Sequence, residues 1–394
     1  CSGRGDKEKM MEKESKLFRL YTLCIFFLFL DAMYPWYMWG NYVREFTILI
    51  AALVSIYIGL MESGHFCVTT KNLIWSFLLL SSVLWNIIGG DIGRYTSLGK
   101  FVVWIYLFSL KSVDKQYILR FITKWTACLV LVSLVSYLLF FAGIMPFDPS
   151  LITFNNNQYV CQNFYTFMLY VNRPDLRFMS IFMEPGHMTM GIVPLIMANG
   201  FDMRNKYVRI LFICELFTLS LAGYVTLFIG YFLFNLSLHS LRNLLVGIVF
   251  IGLLIYLMNF AGYSDILQTS IWDRLEYKDG NIVGNNRVSS EFEKVYQYFI
   301  SSSKIWTGNS LIDVTIYGGV SGYKKYLVQN GIIGLILGLA IYTYSYLMSF
   351  KYRIGVFTLI LLLLLYQNAY PYWFCVMCMY ILGSDNLKSK KTYK

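Results

Sequence analysis

The chain has 394 residues, 57% of them hydrophobic and only 14% charged, with a formal net charge of +11. A soluble domain carries about a quarter charged residues, so this balance, with a mean hydropathy of +0.54, argues against a water-soluble fold or a separate soluble catalytic domain. The basic excess does not point to nucleic acid, because lysine and arginine stand in short clusters between apolar runs, where they orient membrane helices.

Residues 1–9 read as a processed or added tail ahead of Met10 or Met11, and 1–16 as a cytoplasmic tail. The first apolar run follows Lys13, Lys16 and Arg19 without a small-residue cleavage site, so it reads as an uncleaved span. A hydrocarbon core about 30 Å thick needs roughly 20 helical residues. On that ruler the sequence predicts an all-α, polytopic integral membrane protein of about twelve transmembrane helices, within a range of ten to fourteen. The expected spans are 18–38, 46–61, 73–89, 97–110, 121–145, 179–200, 207–220, 222–238, 243–262, 326–349, 354–368 and 371–383. The pairs meeting at Ala222 and Gly223, and at Asn368 to Pro371, read either as two helices or as one broken helix. One transmembrane domain, 17–384, is followed by a basic cytoplasmic tail, 385–394.

Sidedness follows from the basic residues next to short loops. Lys111, Lys115 and Arg120; Arg204, Lys206 and Arg209; Arg242, Lys351 and Arg353; and Lys388, Lys390 and Lys391 all fall on the side of the amino terminus. Both termini are therefore expected in the cytoplasm, and two long loops, 146–178 and 263–325, on the outer face. In the second loop Ser290 and Glu293 have capping-box spacing, and Phe292, Val295, Tyr296 and Phe299 follow at helical intervals. This predicts an amphipathic helix on the membrane surface, led by Arg287 and closed by a turn at Gly308, Asn309 and Ser310. Of the eight cysteines five lie in apolar runs and only Cys161 in a long outer loop, so no disulfide framework is implied.

The stretch 177–191 reads RFMSIFMEPGHMTMG. Pro185 and Gly186 after Glu184 predict a helix that starts there and runs to about Ala198, its free N–H groups offering a phosphate site at the outer leaflet. An ionised carboxylate at the bilayer centre costs about 2.5–3.5 kcal/mol even on the lenient insertion scale, so Glu184 is not expected to face lipid. It is a candidate proton acceptor, or else pairs with an arginine or caps the helix. His187, one turn in, either titrates or donates to an anion, or is a polar packing residue. Arg177 and Arg173 flank Asp175 and can bind a diphosphate through their planar donor forks; interfacial snorkelling is the alternative, favoured for Arg173. Arg287 belongs to no basic cluster and is a further substrate-binding candidate. Gly331, Gly334 and Gly338 stand at helical spacing, for close helix contact. No metal-spaced cluster or Walker-type loop is present in the sequence, and neither metal nor cofactor is expected.

The layout resembles the O-antigen polymerase (Wzy) family, within the wider O-antigen polymerase and ligase superfamily. What carries the resemblance is Arg177 followed by Glu184-Pro185, the helix led by Arg287 and ending at Gly308, and the Gly-x-x-Gly span from Gly331. The resemblance implies a metal-independent, GT-C-like glycosyltransferase in the bacterial inner membrane, moving a growing glycan from undecaprenyl diphosphate onto a new lipid-linked repeat at the periplasmic face. It also implies donor and acceptor carried on that lipid, contact with membrane lipid, and a chain-length regulator as partner. Carried over, Arg177 and Arg287 hold the diphosphate, and Glu184 or His187 accepts the proton. The ligase branch expects a histidine before the Gly-x-x-Gly span, and 313–323 contains none. A flippase should show two related halves and short loops, which this sequence does not. A membrane acyltransferase needs a histidine-led site, and of His65, His187 and His239 two are expected on the cytoplasmic side.

Overall fold

The computed structural model describes residues 16–38, 42–88, 95–144, 148–154, 159–171, 177–234, 289–309, 312, 322–368 and 373–389, with scattered positions between 245 and 282. It is mostly helical. Among the described residues the amino-terminal half contains α1 (Lys16–Asp31), α2 (Val43–Met61), α3 (Thr70–Ile88), α4 (Tyr95–Ser109) and α5 (Ser112–Phe141). Then follow α6 (Pro185–Ala198), α7 (Lys206–Leu216), α8 (Leu221–Phe234), α9 (Ser290–Ile300), α10 (Gly322–Leu347), α11 (Tyr352–Asn368) and α12 (Phe374–Ser389). Three of these, α2, α5 and α10, are long and apolar enough to cross a membrane by length and composition.

α6 and α12 form the centre. Met188 to Ala198 and Phe374 to Leu382 are buried on every side, as expected of a helix apolar all round. They meet so closely that a Cβ on Gly383 would stand 2.7 Å from that of Ala198. Outer helices keep apolar side chains exposed, among them Phe46, Leu49 and Leu53 on α2, Phe77 on α3 and Val132 and Val135 on α5. Such a belt suits a hydrocarbon surround.

Hydrogen bonds and ring contacts sort the helix ends into two groups. At one end Phe18 stacks on His65 with centroids 4.5 Å apart, Lys111 N–H donates to His65 O, and Lys115 pairs with Asp385 at 3.4 Å. Lys351 donates to the carbonyl of Lys388, and Asn386 Nδ2 to that of Ala198. The start of α1, the α2–α3 turn, the start of α5, the end of α6, the α10–α11 turn and the end of α12 therefore share this basic end. At the other end Trp36 N–H donates to Ile181 O, Trp85 Nε1 to Asn330 O, and Asn309 N–H to Val328 O. The described parts of 146–178 and of 289–312 both lie at this loop end.

Several expectations need adjustment. The first long loop contains an antiparallel sheet, β1 (Ser150–Phe154), β2 (Tyr159–Asn163) and β3 (Met168–Tyr170), with Cys161 paired to Ile152 and to Tyr170. A two-residue pair, β4 (Tyr277–Lys278) with β5 (Asn281–Ile282), lies in the second. The span placed at 179–200 is helical only from Pro185, because 181–183 instead pairs with the 34–36 segment, Pro35 bridging to Phe182. The N-cap of α9 is Ser289, not Ser290: its extended backbone lets Oγ accept from Phe292 N–H, while Glu293 is drawn to Lys324 and Gln297. Phe292 and Phe299, on the apolar face of that helix, are buried with Val328 of α10.

Candidate functional site

Glu184 is the N-cap of α6, with extended backbone at φ −148° and ψ 154°, and Pro185 follows as its first helical residue. Its carbonyl accepts from His187 and Met188 N–H, but its side chain makes no capping bond. The positive end of the helix dipole thus stays open. Gly186 beside it is exposed, with no atom within 4 Å of where a Cβ would stand.

One turn on, the His187 ring is boxed by two aromatics. Tyr34 lies 5.2 Å away between centroids, and Trp373 meets it edge-on at 5.4 Å. Nδ1 is buried and has no hydrogen-bond partner among the described residues. Glu184 stands near enough to act on the ring electrostatically. Tyr34 is held in left-handed backbone, φ 55°, where its carbonyl receives Met183 N–H. A bulky residue keeps that conformation only when its surroundings impose it; here the crossing of 34–36 with 181–183 does so. The guanidinium of Arg44 lies 5.6 Å from the Tyr34 ring and 3.4 Å from Asp31 Oδ2. Arg44, Asp31, Tyr34 and Trp373 are thus joined to the predicted pair Glu184 and His187. The sequence offered a weak signal for them, two charges and a run of aromatics at the mouth of the first spans.

Arg177 is buried, 8% exposed. The next residue, Phe178, donates its N–H to Phe217 O at the junction of α7 and α8. Arg173 and Arg287 lie outside the described residues. The structure therefore brings together Glu184 and His187, and sets Arg177 beside the α7–α8 junction.

That junction carries a carboxylate not anticipated from sequence. α7 and α8 are antiparallel: α7 starts just after Phe201, and the α8 residues Tyr231 and Phe234 return to the Phe201 ring, with centroids 5.8 and 5.5 Å away. At the apex Leu219 adopts φ 47° and Thr218 Oγ1 closes the turn on Glu215 O. Glu215 is fully buried. Thr189 of α6 donates to its Oε1 at 2.5 Å, and Oε2 has no partner among the described residues. Gly223 leaves room for it, since a Cβ there would run into Oε1. The rule applied to Glu184, that an acidic residue inside an apolar run is costly and therefore placed for a reason, would have singled out Glu215 as well.

Chemically, the α6 start offers an open dipole end for an anion, a carboxylate and an imidazole as proton carriers, and two aromatic faces. An apolar groove of about 270 Å³ runs between α10 and α11, from Tyr323 past Gly338 to Tyr342. Comparisons with family models, with curated proteins and with solved structures found no match to the chain.

Proposed function

We propose that the protein is a polytopic bacterial inner-membrane glycosyltransferase of the O-antigen polymerase kind, with about twelve spans and both termini in the cytoplasm. It transfers a growing glycan from undecaprenyl diphosphate onto a new lipid-linked repeat at the periplasmic face. The observation that carries this reading is the open start of α6, where Glu184 and His187 meet Tyr34, Trp373 and Arg44 at the loop end, opposite the basic ends of the helices. The basic end matches the cytoplasmic side of a membrane protein.

In this scheme the leaving group is a diphosphate, already a weak base, so the protein has to neutralise its charge and take a proton from an acceptor hydroxyl. Arginine suits the first task, and Arg177, Arg287 and Arg173 are assigned to it; the open α6 start adds the positive end of its dipole. Glu184 or His187 takes the proton. Tyr34 and Trp373 offer faces for a sugar ring, and the groove between α10 and α11 suits a prenyl tail. No metal or cofactor enters this scheme.

The test is genetic and then chemical. Deleting the gene in its host should abolish the ladder of polysaccharide lengths while single repeats remain on the surface. A full ladder would refute the polymerase reading, and loss of single repeats as well would indicate a flippase. Arg177→Ala, Glu184→Ala and Arg287→Ala should each lose polymer while the protein stays in the membrane. Undiminished polymer in all three would overturn the site assignment.

A further inference from the structure

The basic end holds a second polar site, remote from the α6 start. A pocket of about 90 Å³ opens between α3, α5, α10 and α12, lined by Lys71, Lys115, Lys388 and Asp385, with Ser384 in its wall and Thr69 and Asn72 at the start of α3. Three lysines face one aspartate. The other carboxylate close in sequence, Asp114, is engaged by His65 at 3.1 Å.

Asp385 is shared: Lys115 reaches it at 3.4 Å and Lys388 at 3.9 Å. Lys115 is 7% exposed, and its ammonium also lies 5.2 Å from the Phe108 ring, so this charge is withdrawn from water with half of one carboxylate to balance it. A buried charge is costly unless it is paired. Burial lowers the proton affinity of the Lys388 ammonium; Asp385 offsets part of that, and Lys71 and Lys351 lower it further. Ser384 Oγ is buried and has no hydrogen-bond partner among the described residues. An unmet hydroxyl next to two ammonium groups that share one carboxylate is a donor set for an anion of the pocket's size. The amino-terminal ends of α3 and α5 add positive dipole there. Basic pockets between helix ends on the cytoplasmic side are where anionic headgroups settle.

We propose that this pocket binds phosphate, either as the phosphodiester of an anionic lipid headgroup or as free inorganic phosphate. Lys115 and Lys388 supply the charge and Ser384 Oγ supplies a hydroxyl donor. The site is independent of the glycan reaction and would persist in a protein of any other activity.

The experiment uses the full chain, purified in a neutral detergent and stripped of lipid, with thermal stability followed on titrating phosphatidylglycerol, phosphatidylcholine or inorganic phosphate. Phosphatidylglycerol should stabilise the protein saturably and phosphatidylcholine should not. Lys388→Gln should raise the half-saturating concentration about tenfold, the effect of losing one charge-assisted hydrogen bond. Ser384→Ala should weaken the response too, yet leave the lipid-free protein at least as stable, because it removes an unpartnered buried oxygen. Protection by inorganic phosphate alone, with no added effect of the lipid, identifies the free ion as the ligand. Equal stabilisation by both lipids, no stabilisation by any of the three ligands, or an unchanged response in Lys388→Gln and Ser384→Ala, would overturn the proposal. Lys71→Gln, at an exposed position, serves where Lys388→Gln does not fold.

Discussion

Glu215 shows how one side chain can fix a helical turn inside an apolar core. Its carboxyl is held by Thr189 across the α6–α7 contact, Thr218 closes the turn behind it, and Gly223 makes the space. Thr189→Val removes the hydroxyl that donates to Oε1 and should cost about 1–3 kcal/mol, the penalty of weakening the bonding of a buried acceptor. Glu215→Gln keeps an oxygen for Thr189 and should remain close to wild type; melting of both variants in detergent checks this. If Thr189→Val melts with the wild type, the bond has no structural weight. At this scale the sequence was half legible. Glu184 and His187 stood out because a Glu-Pro-Gly start is a local signal, and the structure gives them a common helix end. Tyr34 just after α1, Arg44 in α2 and Trp373 just before α12 are brought there by tertiary packing, which no local pattern encodes.

Among elements, α9, the turn after it and α10 behave as one unit. α10 is broken at Gly331, with φ 66° and ψ −176°, a backbone state that is essentially glycine's alone. The turn from Trp306 to Asn309 fits into the break: Ile333 N–H donates to Trp306 O, and Asn309 N–H to Val328 O. A Cβ on Gly331 would strike Trp306 O, and one on Gly308 would strike Gln329 O. Gly331→Ala should therefore cost about 1–3 kcal/mol in backbone strain, with the clash in addition. Gly186→Ala, where space is open, should be neutral or slightly stabilising; comparative thermal denaturation reads both, and equal melting would refute the fitted-break account. The second clasp is ionic. Lys324 and Gln297 hold the Glu293 carboxyl below the ordinary glutamate range. A lowered carboxyl contributes stability above its unfolded range and loses it as pH falls through its folded value. The protection factors of the α9 amides, exchange rates divided by their intrinsic values at each pH, should thus fall on acidification below the ordinary carboxylate range, by an amount matching about 0.2–1 kcal/mol for an exposed pair. In Glu293→Gln that acid-dependent step should vanish, and an identical pH profile in the variant would remove the clasp. The sequence predicted α9 from its periodicity, but the partner of its apolar face, Val328 of α10, is set by tertiary packing that the periodicity does not name.

For the whole molecule, helix boundaries were the most legible feature, because a long apolar run ended by charges has few alternatives. α2, α3, α4 and α11 lie within a few residues of the expected spans. The strands at 150–170 were not legible, since that loop lacks clean alternation and is pinned by Trp36, whose indole N–H donates to Tyr165 O. Sidedness can be tested on the full protein. In a background without other thiols, Tyr165→Cys and Tyr298→Cys, at exposed sites, should both react with a membrane-impermeant maleimide from the outside of cells, while native Cys67, also exposed, should react only after permeabilisation. Labelling of the two introduced thiols from opposite sides would overturn the arrangement. The α7–α8 pair has a further arithmetical consequence. It departs from and returns to the same level, marked by Phe201. Whether it pierces the bilayer fully or dips in and turns back, it adds an even number to the tally. Parity is then conserved, and no helix downstream changes side if the count falls from twelve to ten.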